Sequence, residues 1–232
     1  MRVLVVQNYD NVALGLIGQA LEEAGAQLDI RNAHLGEAMP LSADDHDAIV
    51  VLGGGQNALD DENYPYIPAL LELMRDFAER DRALLGICLG SQLLARAYGG
   101  DNLLGAAPEF GWRTVCLTEA AATDPVLAAA PKSFPIFQWH DDTFTLPEGA
   151  TRLAENDATG NQAFRIGRAA YGIQFHFEAD RVLVRQWTSD FADFLAERQP
   201  GWPERLDGEA ALHGDQADAT GLSLARAWVA AI

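Results

Sequence analysis

The first hundred residues alternate between short apolar runs and stretches with apolar positions every third or fourth residue. RVLVVQN, starting at Arg2, is a β-branched run that ends in polar residues. LIGQALEEAGA follows with helical spacing, and Gly25 serves as its stop. LDIRNA and DAIVVLGGG read as the second and third strands. PYIPALLELMRDFAERD, from Pro65, carries an amphipathic helical pattern. RALLGIC is a fourth strand and GSQLLARAYGG the helix after it. Strand and helix alternating in this order predict an open, mostly parallel sheet covered by helices on both faces, the flavodoxin-like α/β class.

The middle of the chain changes character. GWRTVCLTE, SFPIFQWH, ATRLAEN, QAFRIG and AAYGIQFHFE are short strand candidates separated by tight turns, which predicts an antiparallel extension of the sheet. VLVRQWTSDFADFLAER reads as one helix. QPGWP, with Pro200 and Pro203, reads as the end of the compact part, and 199–217 as linker-like. The expected organisation is one domain over 1–198. An appendage over 199–232 follows, its LSLARAWVAAI end forming a helix packed on the domain.

Composition narrows the function classes. Thirty-four acidic residues against 16 basic ones give a net charge of −18, and Lys132 is the only lysine. A surface this negative repels phosphate backbones, which argues against a nucleic-acid partner. No apolar run approaches the roughly 18 residues of a membrane span. The N-terminal apolar stretch is too short for a signal peptide, so the expected location is cytoplasmic. Two cysteines, Cys88 and Cys116, make neither a disulfide framework nor a zinc cluster.

GICLGSQ, residues 86–92, holds the sharpest chemical signal. Gly86-Ile87-Cys88-Leu89-Gly90 lies between a strand and a helix, the setting of a nucleophile on an elbow turn. Glycines on both sides let strand, turn and helix approach closely. The sulfur then projects at the carboxyl end of the sheet, where open α/β folds place their ligands, and the helix N-terminus favours its thiolate. The competing reading is a core cysteine, since cysteine is among the most buried residue types.

A nucleophilic cysteine needs a base and a group to orient it. Of the five histidines, His176 lies at the end of a late apolar strand with Glu178 two residues on, on the same side of an extended chain. Gly53-Gly54-Gly55 follows the strand AIVVL and can bring backbone N–H groups against an oxyanion. It lacks the Lys-Ser/Thr of a phosphate loop.

With these elements in place the chain resembles the class I (triad) glutamine amidotransferases, and within them stand-alone relatives of the glutaminase domain of GMP synthase. The resemblance covers roughly residues 1–198 and rests on GGG, GICLGSQ, FGW at 110–112, FQWHDDTF and GIQFHFE. It implies that Cys88 attacks the side-chain amide of glutamine to form a γ-glutamyl thioester, with His176 as base and acid and Glu178 orienting it. It also implies an oxyanion hole from the N–H groups of Gly54 and Leu89, and substrate contacts from Gln92, His140 and Asp141. No cofactor and no metal is implied. With no ATP pyrophosphatase signature present, the ammonia would pass to a separate synthetase, or the substrate would simply be hydrolysed. A γ-glutamyl peptidase or hydrolase with the same triad is the alternative, and a non-catalytic regulatory relative a third reading.

The chain departs from the family pattern in three places. Phe177 replaces the usual proline between His176 and Glu178, Gly55 replaces a proline after the two glycines, and Asp141 stands where a glycine is common. The remaining candidates have bland expectations. Cys116 is read as core, Trp139 as packing, and His34, His46 and His213 as solvated. The Asp44-Asp45-His46-Asp47 cluster is read as a solvated loop rather than a cation site.

Overall fold

In the computed structural model, which describes residues 1–232, the alternating half of the chain forms five parallel strands. These are β1 (Arg2–Gln7), β2 (Gln27–Asn32), β3 (Ala48–Val51) and β4 (Ala83–Ile87), joined from later in the chain by β11 (Ala170–Ile173). Helices α1 (Gly15–Glu23), α2 (Ile67–Glu79) and α3 (Leu89–Ala97) make the crossovers. The antiparallel part comprises β6 (Glu109–Leu117), β7 (Ser133–His140), β9 (Thr151–Glu155) and β10 (Ala163–Ile166). Short strands β5 (Asn102–Leu103) and β8 (Thr143–Phe144) pair separately. The nine-stranded order is β2-β1-β3-β4-β11-β10-β9-β6-β7, parallel through β11 and antiparallel beyond it. This is the mixed sheet that the hydrophobic pattern predicts.

Period-two alternation explains the two cores. Leu4, Val6, Ile49, Val51 and Leu84 point to the face covered by α2 and α3. Val3, Val5, Val50, Leu85 and Ile87 point to the opposite face. That face is covered by α1 and by the last helix, α6 (Trp202–Ala230), which lie against each other. No helix is long and apolar enough to cross a membrane.

Two expectations about the C-terminal third need correction. The helix expected over 182–198 is broken into α4 (Arg181–Asp190) and α5 (Ala192–Arg198) at Phe191, whose φ of −111° and ψ of 28° leave the helical range. The turn lets Phe191 meet Tyr9 and Trp139, with ring centroids 6.1 and 5.5 Å apart. The expected linker over 199–217 is instead the start of α6, a helix of 29 residues. Pro203 sits in its first turn, where a missing N–H costs nothing. Two glycines within α6 are close-approach points. A Cβ on Gly214 would overlap the Arg181 side chain, and one on Gly221 the carbonyl of Phe177.

Residues at both ends of α6 belong to the main core. Trp202 and Trp228 are fully buried, and Leu206, Ala210, Ala217 and Leu224 line the same face. Replacing Trp228 with alanine is therefore expected to cost about 3–5 kcal/mol. Denaturant unfolding checks this; a loss below about 1 kcal/mol would mean that α6 contributes little to the core.

Candidate active site

Cys88 lies on the elbow between β4 and α3 with φ 50° and ψ −108°, a backbone conformation L-residues rarely adopt. The flanking glycines are required by space. A Cβ on Gly86 would fall on the Gly90 carbonyl, and one on Gly90 on the Val51 carbonyl. The turn is tied to its neighbour by the Cys88 N–H, which donates to the Ile173 carbonyl at 2.8 Å.

β11 ends at Ile173, so His176 and Glu178 lie just past the strand in a turn rather than on its extended end. The His176 N–H donates to the Phe137 carbonyl at 2.9 Å, anchoring the turn to β7. Its Nδ1 is 2.7 Å from Glu178 Oε1, and Glu178 is completely buried. The ring borders the same cavity as Cys88. Gly53 lies between the two elements: a Cβ there would sit 3.4 Å from His176 Cε1 and 3.6 Å from Cys88 Cβ. The structure thus brings Cys88, His176, Glu178 and the glycine turn together.

Burial by itself pushes the His176 pKa down. The Glu178 carboxylate and the Cys88 sulfur outweigh it, and the imidazole is held well above its ordinary value of 6.5. A folded-state pKa raised in this way means that the native state binds the proton more tightly than the unfolded chain does. The stabilisation is complete below about pH 6.5 and is lost as pH rises through the folded-state value. The unfolding midpoint is therefore expected to fall more steeply above pH 6.5 in the wild type than in His176→Gln. Equal slopes in the two proteins would contradict the ion pairing.

Two cavities meet at Cys88. One, of about 280 Å³, is bordered by Gln56, Leu89, Gln92, His140, Asp141 and Asp142. The other, of about 220 Å³, is bordered by His176 and by apolar side chains from four separate segments. Gly54, Gly55, Trp139 and Phe194 border both. Leu89, Gln92, His140 and Asp141, named from the sequence, all reach the polar cavity. Gln92 Nε2 donates to Gln174 Oε1 at 3.3 Å, and His140 Nδ1 is 3.0 Å from the Asp142 carbonyl. Asp141 pairs with Arg198 of α5 at 2.8 Å on the half-exposed rim.

Several features were not readable in advance. Glu109 is almost buried and accepts from Asn156 Nδ2 and Gln162 Nε2 at 2.6 Å each, with His140 Nε2 3.2 Å away. Gln162 in turn accepts from Gln138 Nε2 at 3.0 Å, giving a polar layer behind the cavity. Trp139, expected to be packing, borders both cavities, and its carbonyl lies 3.7 Å from Cys88 Sγ. Three expectations are overturned. His34 is not solvated: its side chain is 9% exposed, with Nδ1 3.2 Å from the Gln7 carbonyl and Nε2 3.0 Å from Asp10 Oδ1. Cys116 is exposed, because on β6 Val115 takes the inward position and leaves Cys116 facing out. His46 is buried, with Nε2 3.0 Å from Asp29 Oδ2, and the acidic loop around it is tied down by Arg80 and Arg82. No group of three or more His, Cys, Asp or Glu gathers to hold a metal ion.

The family profile described as glutamine amidotransferase class-I matches residues 4–184, more than half of the sequence. The chain belongs to the class-I glutamine amidotransferases. This amidotransferase is 31% identical over 205 residues to the glutamine amidotransferase-like protein YfeJ of Salmonella typhimurium, covering 85% of this chain and 86% of that one. It is also 31% identical over 202 residues to gamma-glutamyl peptidase 5 of Arabidopsis thaliana, covering 80% and 77%. A glutamine-hydrolysing GMP synthase of Thermosipho africanus matches at 27% identity over 87% of this chain, which spans only 38% of that protein. Among solved structures, a glutamine amidotransferase from Thermotoga maritima superposes with a TM-score of 0.86 at 28% identity, covering 98% of both chains.

Proposed function

We propose that this amidotransferase hydrolyses the γ-amide of glutamine-type substrates through a thioester on Cys88. The observation that carries the reading is the strained elbow cysteine sharing a cavity with an imidazole whose Nδ1 is held by a buried carboxylate.

In this reading the Cys88 thiolate attacks the γ-carbonyl carbon, forming the C–S bond and moving the carbonyl electron pair onto oxygen. N–H groups of Gly54 and Leu89 receive the oxyanion, on the glycine turn and at the start of α3 beside Cys88. As the intermediate collapses, the C–N bond breaks and the departing nitrogen takes the proton of the His176 imidazolium. His176 then accepts a proton from water, the hydroxide attacks the thioester, the C–S bond breaks, and glutamate leaves. Glu178 acts through His176, fixing its orientation and stabilising its charged form. The amino-acid end of the substrate takes the polar cavity beside Gln92, His140 and Asp141. Asp141, paired with Arg198 at 2.8 Å, borders that cavity and would accept from the α-ammonium group.

With glutamine the leaving group is ammonia, and its acceptor would be a separate synthetase. The reading is tested by incubating purified protein with glutamine and measuring glutamate and ammonia. Equimolar release of both supports it, and no release from any γ-glutamyl amide would overturn it.

A further inference from the structure

The two cavities at Cys88 differ in chemistry, and the position of His176 says which end of a substrate each receives. A departing nitrogen is protonated by His176, so it must leave on the side of Cys88 that the imidazole borders. That side opens into the cavity of about 220 Å³, whereas Leu89 and Gln92 border the other. Its wall is Tyr9, Val12, Trp139, Trp187, Phe191 and Phe194, and no Lys, Arg, Asp or Glu lines it. The one polar atom of the Trp187 ring is already engaged, because Nε1 donates to the Asn11 carbonyl at 3.1 Å. Trp187 also stands edge-on to His176, with centroids 5.2 Å apart. Tyr9 and Phe194 keep 37% and 48% of their surface exposed at the rim, so aromatic carbon faces solvent where the cavity opens.

Ammonia, about the size of a water molecule, needs roughly 10–15 Å³ of such space. Glutamine would leave this cavity almost empty. Apolar walls bind apolar bodies and disfavour a charge that finds no partner. We propose that the substrates this enzyme prefers are γ-glutamyl amides of uncharged aromatic or branched aliphatic amines, with the amine portion seated in the cavity beside His176. The proposal rests on the thioester reading above, since the same attack by Cys88 opens the amide. The C–N bond breaks, His176 gives its proton to the nitrogen, and a primary amine leaves in place of ammonia. Water then releases glutamate as before, so no further reactant is needed.

The test compares kcat/KM of the full chain for γ-glutamyl phenethylamide, glutamine and γ-glutamylglycine. The aromatic amide is expected to exceed glutamine by about tenfold or more, on the scale that apolar pockets discriminate. γ-Glutamylglycine should fall below the aromatic amide, because its carboxylate meets aromatic carbon with no Lys or Arg to pair it, and the His176 proton passes to the departing nitrogen. Val12→Trp, which fills the cavity, should reduce the preference for the aromatic amide over glutamine by about tenfold or more. An aromatic amide no better than glutamine overturns the proposal, as does a preference that survives a folded Val12→Trp protein. The wild-type comparison decides the matter if that variant does not fold. Cleavage of glutamine without the aromatic amide overturns this subsite alone, whereas cleavage of neither overturns the underlying amide-hydrolysis reading as well.

Discussion

Replacing Cys88 with alanine is expected to lower glutamine hydrolysis by at least about 10⁴-fold while leaving the protein folded. The size follows from the nature of the step, since without the sulfur no acyl-enzyme forms and only binding and oxyanion contacts remain to assist water. Retention of the fold follows from the elbow. Alanine meets the same backbone strain at φ 50° that cysteine does, and the glycines at 86 and 90 that permit the close approach are untouched. Loss of the buried sulfur contacts costs on the order of 1 kcal/mol, which moves the unfolding midpoint of a chain this size by about 2–4 °C. Steady-state glutamate release and a thermal melt check both halves. An alanine variant with undiminished turnover would contradict the nucleophile assignment, and a variant that fails to fold would contradict the account of the elbow.

Replacing Glu178 with glutamine is expected to lower kcat/KM by about 10²–10⁴-fold, comparable to losing the orienting carboxylate in other triads. The amide is the same size and its carbonyl can still accept from His176 Nδ1, so the turn should hold. What disappears is the negative charge. Glu178 is fully buried, and its Oε2 has no hydrogen-bond partner, so its charge is answered chiefly by the imidazolium. Glu178 is the first of the influences that raise the His176 pKa against the effect of burial. Removing the charge lets burial win, and the His176 pKa falls. The alkaline limb of the pH–rate profile, where the imidazolium loses its proton, should therefore move to lower pH in Glu178→Gln. A purely structural role would lower activity without moving that limb. Full activity with an unmoved limb would contradict the role of Glu178 altogether.

The parts of the site legible in the sequence are those written locally. Cys88 sits between glycines that a strand–turn–helix junction needs, and His176 and Glu178 lie two residues apart, so short motifs carry them. The sheet was legible because β1, β3 and β4 are buried on both faces and read as continuous apolar runs. The aromatic wall was not. Trp187, Phe191 and Phe194 look like the apolar stripe of one helix, and only the break at Phe191 turns part of that stripe toward Tyr9 and Trp139. The start of α6 was hidden for a related reason. Proline and glycine usually punctuate chains, but Pro203 occupies a first turn, and Gly214 and Gly221 are contact points. Glu109 gave no signal because its partners, Asn156 and Gln162, lie some fifty residues away along the chain and meet it only through the sheet. His46 and Cys116 were misplaced because polar neighbours and strand propensity do not say which face a side chain takes.

The most direct test of the central claim is to trap the acyl-enzyme. Wild-type protein is mixed with glutamine, quenched in acid during turnover, digested and analysed by mass spectrometry. The account predicts one γ-glutamyl group on the peptide containing Cys88, absent from Cys88→Ala. Turnover with the adduct on another residue, or with the Cys88 peptide unmodified throughout, would contradict it.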